Sequence, residues 1–491
     1  MMSEPGPGKA LSDLGLTHPL NPRITGLSVD SREVKPGHLF CAMPGVNLHG
    51  ATFIEYAERM GAAAVLTDSA GARIASDCTL PVVISEEPRA AMARAAALWF
   101  GGQPEVMIAV TGTNGKTSVA TFTRQIWEHL GLKAVNFGTT GVEGSVAAAL
   151  SHTTPEPLTL HRLLKNLKDQ GVSHAAMEAS SHGLEQRRLD AVTLGAAGFT
   201  NFTQDHLDYH DGFEAYFKAK AGLFARVLPQ GATAVLNIDD PVAPRLVEIA
   251  KSRQISVLSV GNADFADLRL LGQRFDATGQ DVRFSYGGEV HLVRLDLVGG
   301  FQASNALLAA GLAIASGSKA GDVFKALGHL TTVTGRMQLA ATRANGAAVY
   351  VDYAHTPDAL ATALKAMRPH VMGRLVVVFG AGGDRDKGKR PLMGAAAKEN
   401  ADVLIVTDDN PRSEDPGQIR AAILESCPEA SEIGDRATAI LTGVDALGPG
   451  DALLIAGKGH ETGQIVGDDL LEFNDSEQAS VAVAALDGRG V

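Results

Sequence analysis

Apolar residues along the chain fall into short continuous runs, each closed by a glycine-rich or polar turn and followed by a stretch of helical period. The first hundred residues hold short β-rich pieces and end in a helical run, Pro88 to Phe100, whose proline suits a first helical turn. A breaker cluster follows at Gly101-Gly102-Gln103-Pro104. Val106 to Val110 is apolar throughout and leads through a glycine-rich turn into a helical pattern from Lys116 to Leu130. The same order recurs with strand-like runs at 174–178, 195–200 and 232–237. Strands that are apolar throughout and alternate with helices predict a parallel sheet covered on both faces. After Gly335-Arg336 a second series begins, with strand-like runs at 347–352, 374–379, 402–407 and 452–456. Helical stretches start near Thr356, Arg390 and Asp415. The pattern predicts an α/β protein of three domains, 1–104, 105–335 and 336–491, and 491 residues suit three domains of ordinary size.

Composition narrows the functions open to such a chain. Lys plus Arg number 43 against 55 Asp plus Glu, a formal net charge of -12. A protein built to grip nucleic acid or an anionic membrane wants a basic surface, so both roles are disfavoured, whereas a small anionic ligand needs only local positive charge. Three scattered cysteines, Cys41, Cys78 and Cys427, supply neither a disulfide framework nor a paired zinc spacing. The N-terminal stretch has no apolar signal core, and the most apolar segment, Ala306 to Ala315, is too short to span a bilayer. A cytosolic protein without a membrane span is expected.

Candidate chemistry sits where the apolar runs end. Gly112, Thr113, Asn114, Gly115, Lys116, Thr117 and Ser118 lie between a buried strand and a helix, the setting of a phosphate-binding loop. Backbone N–H groups would wrap phosphate oxygens, Lys116 would reach the β/γ-phosphates, and a hydroxyl of Thr117 or Ser118 would ligate Mg²⁺. The loop departs from the general GxxxxGK[ST] form, since Val110 stands five residues before Gly115. Glu178, ending another apolar run, suits a magnesium carboxylate, although a strand end also accommodates a plain surface acid. The segment Asn201 to His210 holds Asp205, His206, Asp208 and His210, a set equally consistent with a metal site and with a polar capping loop. In the helix that follows, Phe213, Phe217, Lys220 and Phe224 share one face. Lys220 either snorkels outward or is held in a dry site where its amine becomes reactive; spacing leaves both open.

Eight motifs in fixed order carry a family resemblance: TGTNGKTS (111–118), HTTPE (152–156), MEASSHGL (177–184), NFTQDHLDYH (201–210), DYAHTPD (352–358), GGDRDKGKR (382–390), DNPR (409–412) and GKGHE (457–461). Together they resemble the Mur ligases, the ATP-dependent amide-forming enzymes of peptidoglycan synthesis, and among them the branch that adds diaminopimelate. The resemblance implies three domains: an N-terminal UDP-substrate domain, a central P-loop ATPase domain with a parallel sheet, and a C-terminal Rossmann-like domain for the amino acid. It implies that Val29, Ser31, Val46, Asn47 and Leu48 meet the uridine-diphosphate end of a UDP-N-acetylmuramoyl-dipeptide. Thr153, Thr154, Ser180, Gln186 and Arg188 would hold the rest of that substrate. Lys116, Glu178, His206 and Lys220 would be catalytic, with Asn305, Arg336 and Asp352 on the adenosine. Ser118, Glu178, His206 and Lys220, the last as a carbamate (N6-carboxylysine), would hold two Mg²⁺. Arg385, Asp409, Asn410, Pro411, Arg412, Gly457 and Glu461 would form the meso-diaminopimelate pocket.

One part of that pocket follows from chemistry. Diaminopimelate has a far carboxylate that lysine lacks, and a guanidinium reads a carboxylate with a bidentate fork. Arg412 is the candidate, with Asp409 and Asn410 available to the far ammonium. A lysine-adding ligase, a folylpolyglutamate synthetase and, from another class, a P-loop nucleotide switch are the competing readings. The enzyme is expected to act on small molecules alone, as a monomer.

Overall fold

The computed structural model describes residues 8–45, 48–203 and 210–488, folded around three sheets. The first is a four-stranded parallel sheet of Gly26–Ser28, His38–Cys41, Ala64–Thr67 and Val82–Ile84, in chain order. Its helix Pro88–Phe100 opens with the proline and closes on Gly101 in the left-handed region, as a proline start and glycine stop require. That helix packs against Pro157–Asp169 of the next unit.

The central sheet has ten strands. Val106–Thr111 lies in the middle, flanked by Ala196–Phe199 on one side and His174–Glu178 on the other. Ala134–Gly138 and Gly141–Gly144 complete one edge; Thr233–Asn237 and Ser256–Gly261 continue the other. The parallel strands are buried on both faces, which is why they read as unbroken apolar runs. Beyond them the sheet gains an antiparallel extension, Leu268–Asp276, Gly279–Tyr286 and Glu289–Leu295, which the sequence pattern did not indicate.

Register brings the motif loops together. Glu178 pairs with Val110, and Phe199 with Thr111, so both polar clusters emerge beside the glycine-rich loop. Strand order reverses at Val106–Thr111, and a crevice opens there beyond the carboxyl ends, the usual place for a ligand in an open α/β sheet. The third sheet runs Gln338–Thr342, Ala348–Asp352, Ala452–Ala456, Leu375–Phe379, Val403–Val406, Ser431–Glu432. Asp352 pairs with Ala456 and Phe379 with Val406, which sets the loops from 353, 380, 407 and 457 along one edge.

His370 joins the second unit to the third. Its Nδ1 donates to the Asp276 carbonyl at 2.6 Å, and its Nε2 accepts the Gly299 N–H at 3.1 Å. Burial pushes its pKa down, which favours the neutral ring this pair of bonds needs. Among the described residues no helix is long and apolar enough to cross a membrane.

Candidate active site

The loop from Gly112 to Gly115 closes tightly because two of its residues adopt backbone angles that suit glycine. Gly112 has φ +145°, and a Cβ there would sit 1.9 Å from the Thr200 hydroxyl oxygen. Gly115 has φ +84° at the start of the helix Lys116–His129, and a Cβ would press on the Asn305 amide. Thr113 and Asn114 are tied to the neighbouring strand end: the Thr113 N–H donates to the Asn201 carbonyl, and the Asn114 N–H to Asn201 Oδ1. The Lys116 ammonium folds back over this loop and donates to the carbonyls of Gly112 and Thr113, at 3.0 and 2.8 Å.

Glu178 is not a surface acid. It is 2% exposed, and its carboxylate accepts from Thr139 N–H (2.8 Å), the Thr117 hydroxyl (3.0 Å) and the Thr139 hydroxyl (3.2 Å). Gly138 makes room for it, since a Cβ there would lie 2.1 Å from Glu178 Oε1. Of the two loop hydroxyls, it is Thr117 that bonds to Glu178, while Ser118 lines the cavity one residue further on. A hydroxyl that gives its proton to a carboxylate keeps its lone pairs for a cation. Magnesium bound with a nucleotide takes one or two protein carboxylates and leaves its other positions to phosphate and water. A buried carboxylate flanked by hydroxyls at a phosphate loop fits that demand. Among the described residues no group of three or more His, Cys, Asp or Glu could hold a metal by itself. His206 lies outside the described residues, as do Val46 and Asn47.

The structure buries Lys220. It is 2% exposed, its ammonium donates to the Gly112 carbonyl at 2.7 Å, and it stands 4.5 Å from the centre of the Tyr216 ring. Phe217 and Phe224 are buried with it, but Phe213 is half exposed, being only one residue into the helix Gly212–Gly222. Phe224 belongs to a π-helical turn, Leu223–Val227, that prolongs this helix. Lys218 is exposed.

These groups face one cavity of about 490 Å³, a size suited to a nucleotide. Residues 113–118, Thr153, Glu178, Ser180, Lys220 and Asn305 line it from the second unit, and Arg336 and Asp352 from the start of the third. Asn305 sits in the second turn of the helix Phe301–Ala315, one turn later than its sequence context indicated. The Arg336 guanidinium stacks 4.4 Å over the Tyr353 ring. Burial pushes the Asp352 carboxyl up and Arg336 pulls it back; its oxygens accept from Met337 N–H and Ala354 N–H. Thr139, Tyr353 and His355 were not singled out by sequence reasoning, although the last two stand within a quoted motif.

The remaining residues form a wall and a second cluster. Thr154 Oγ1 accepts from Ser180 N–H and donates to the Glu178 carbonyl. Arg188 donates to the Thr154 carbonyl and pairs with the Gln186 amide oxygen, so this part of the predicted dipeptide site adjoins the cavity. Val29 and Leu48, both exposed, and Ser31, which opens the short 3-10 helix Ser31–Glu33, stay on the N-terminal unit apart from the cavity lining.

Arg385, Asp409, Asn410, Pro411, Arg412, Gly457 and Glu461 gather at the edge of the third sheet. A Cβ on Gly382 would fall 2.9 Å from Arg412 Nη1 and 3.8 Å from Arg385 Cγ, so the two arginines flank a residue without a side chain. Arg412 Nη1 is held by the Gly383 carbonyl at 2.9 Å. Asp384 accepts from Ser413, and Glu414 accepts from Asp384 N–H and from Arg390, which clasps the two arginine-bearing loops. Beneath them Arg436 and Asp475 form a fully buried bidentate pair, both bonds 2.7 Å. Arg436 also donates to the carbonyls of Asp408 and Ala456, the residues before DNPR and GKGHE. The cluster adjoins the cavity, because Gly457 N–H donates to the Asp352 carbonyl at 3.1 Å.

Comparison with known proteins agrees with this architecture unit by unit. Residues 23–100 match the family model "Mur ligase family, catalytic domain", 110–313 match "Mur ligase middle domain", and 335–459 match "Mur ligase, glutamate ligase domain". The chain is 50% identical to a UDP-N-acetylmuramoyl-L-alanyl-D-glutamate–2,6-diaminopimelate ligase of Bradyrhizobium diazoefficiens, over 94% of this chain and 95% of that one. It is also 50% identical to the ligase of that name from Caulobacter vibrioides, over 98% and 99%. A solved structure of a ligase of the same name superposes with TM-score 0.72 at 32% identity, covering 98% of this chain and 99% of that one. A folylpolyglutamate synthase of Mycobacterium tuberculosis shares the fold at TM-score 0.63 and 19% identity, over 82% and 96%. Family models matching all three units and half-identical relatives over nearly the full length thus agree, and the chain belongs to the Mur ligase family.

Proposed function

We propose that this protein is the ATP-dependent ligase that joins meso-2,6-diaminopimelate to UDP-N-acetylmuramoyl-L-alanyl-D-glutamate in peptidoglycan precursor synthesis. The observation that carries the reading is half-identity over nearly the full chain to ligases of that name. The Arg412 guanidinium beside Gly382 supports the choice of amino acid, since it suits the far carboxylate that lysine lacks. The same edge argues against a folylpolyglutamate synthetase, whose likeness here is one of fold alone.

In the proposed reaction the γ-phosphoryl group of ATP passes to the D-glutamate side-chain carboxylate, giving an acyl phosphate. The diaminopimelate amine attacks that carbonyl, and phosphate leaves from a tetrahedral intermediate. The protein's share is positioning and neutralisation of charge. Residues 112–118 wrap the phosphates, with Lys116 released from its loop carbonyls to meet them. Asn305, Arg336 and Asp352 hold the adenosine. Thr153, Thr154, Ser180, Gln186 and Arg188 hold the acceptor, with its uridine end on the loops around Val29, Ser31 and residues 46–48. Glu178, His206, Ser118 or Thr117, and a carbamate on Lys220 would hold Mg²⁺, which when bound offsets phosphate charge. The position of Lys220 suits a carbamate, because it is buried at the glycine-rich loop and lines the same cavity as Glu178. The division into units at 1–104, 105–335 and 336–491, the monomeric state and a cytoplasmic location belong to the same proposal.

The test is an incubation of ATP and the UDP-dipeptide with meso-diaminopimelate or L-lysine, reading phosphate release and amide product. Product with diaminopimelate only is expected. Equal use of lysine would overturn the role given to Arg412, and slow hydrolysis without any amide would favour a nucleotide switch.

A further inference from the structure

Lys458, in the GKGHE turn, has no part in the reaction as described, yet it is fully buried beside the amino-acid pocket. Its ammonium donates to Asn410 Oδ1 at 3.1 Å and to Glu461 Oε2 at 3.2 Å. Asn410 Oδ1 also accepts the Ile465 N–H at 2.9 Å, and Asn410 Nδ2 donates to Glu461 Oε2 at 2.9 Å. Ammonium and backbone N–H are donors only, so the amide atom that meets both must be the oxygen. The amide therefore has a single orientation, with its oxygen spent inward and one N–H left over. This changes the expectation that Asn410 serves the far ammonium of diaminopimelate. A spare N–H suits the far carboxylate, alongside Arg412, and leaves the ammonium to Glu461, whose side chain is one-third exposed.

We propose that Lys458 is a positioning residue for amino-acid selection: by filling the Asn410 oxygen and holding Glu461 beside it, it presents a donor and an acceptor in the order that matches a carboxylate and an ammonium on one carbon. The turn is built for it. Gly457 and Gly459 take φ +123° and +55°, and a Cβ on either would strike Asp409 or Tyr353, so the chain between them carries Lys458 inward. Without its ammonium the Asn410 amide loses one of the two donors that fix it and can turn over, offering oxygen to a carboxylate.

This inference rests on the proposed ligase reading, and the experiment separates the two. Wild type, Lys458→Met and Asn410→Asp are assayed for amide formation with meso-diaminopimelate and with L-lysine at saturating ATP and UDP-dipeptide. For Lys458→Met, KM for diaminopimelate rises by roughly ten- to hundredfold, as for other residues that orient a ligand-binding side chain. Its kcat changes less, KM for ATP holds, and the preference for diaminopimelate over lysine falls. Asn410→Asp keeps the oxygen that Lys458 and Ile465 bind but replaces the amide nitrogen, and with it the bond to Glu461 and the spare N–H, by a charged oxygen, so it loses diaminopimelate more than lysine. That variant decides the matter if Lys458→Met fails to fold. An unchanged preference in both variants, or equal rises in KM for all three substrates, overturns the role of Lys458 while leaving the ligase intact. A wild type that forms no amide overturns the functional reading itself and the inference with it.

Discussion

Replacing Asp475 by alanine should destabilise the third unit severely, and the structure says by how much. Asp475 and Arg436 are both fully buried, joined by two 2.7 Å bonds, and the carboxylate lies in the first turn of the helix Asp475–Leu486, where the helix dipole favours it. Removing one member of a buried pair strands the other's charge, a loss of about 3–5 kcal/mol. For a unit of this size that lowers Tm by roughly 6–20 °C, at about 2–4 °C per kcal/mol. Calorimetry or urea unfolding reads it directly. Replacing both residues, Arg436→Met with Asp475→Leu, should recover much of the loss because no charge remains. The recovery stays incomplete, since the Asp408 and Ala456 carbonyls lose their donor, at about 1–3 kcal/mol for each left unsatisfied. Those carbonyls precede the two amino-acid loops, so Asp475→Ala, assayed below its Tm, should raise KM for the amino acid and spare that for ATP. A loss under about 1 kcal/mol, or a double variant as unstable as the summed singles, would refute the reasoning.

Other outcomes follow from single positions. Gly112→Ala places a methyl against Thr200 in a backbone region that disfavours side chains, and should weaken ATP binding about tenfold or more by calorimetric titration. Lys220→Ala should cut ligation by about a hundredfold or more, the scale of losing one charge-stabilising group, and added short carboxylic acids should restore part of it; an unaffected rate sinks the carbamate. His161 is buried with Nε2 unpartnered, and burial lowers its pKa to about 4. A neutral buried imidazole stabilises fully above the unfolded value near 6.5, and this is lost as pH falls from there to about 4. The loss is about 3 kcal/mol, so His161→Leu should flatten the stability–pH curve in that window.

The strands of the two larger sheets were legible because burial on both faces leaves an unbroken apolar run, as at Val106–Thr111 and Leu375–Phe379. The antiparallel strands from 268 to 295 were not, because one face meets water and Arg269, Gln273, Arg274 and Arg283 interrupt the run. Motif spacing singled out the glycine-rich loop and the DNPR and GKGHE turns, and sheet register brings those strand ends together. It left Lys220 undecided, because whether a lysine snorkels or stays inside depends on the Gly112 carbonyl, 108 residues away. The orientation of the Asn410 amide was illegible for a similar reason: it is decided by donors from Lys458 and Ile465, remote in the chain.

Asp352 stands between the cavity and the GKGHE turn. Its carboxylate grips the crossing at Met337 and faces the nucleotide cavity, while its carbonyl takes the N–H of Gly457 in the amino-acid loop. With nucleotide and amino acid bound where proposed, any coupling through this residue is reciprocal: whatever factor bound nucleotide adds to amino-acid affinity, bound amino acid must return to the nucleotide. Such coupling through Asp352 would be measurable as equal factors in the two directions of titration.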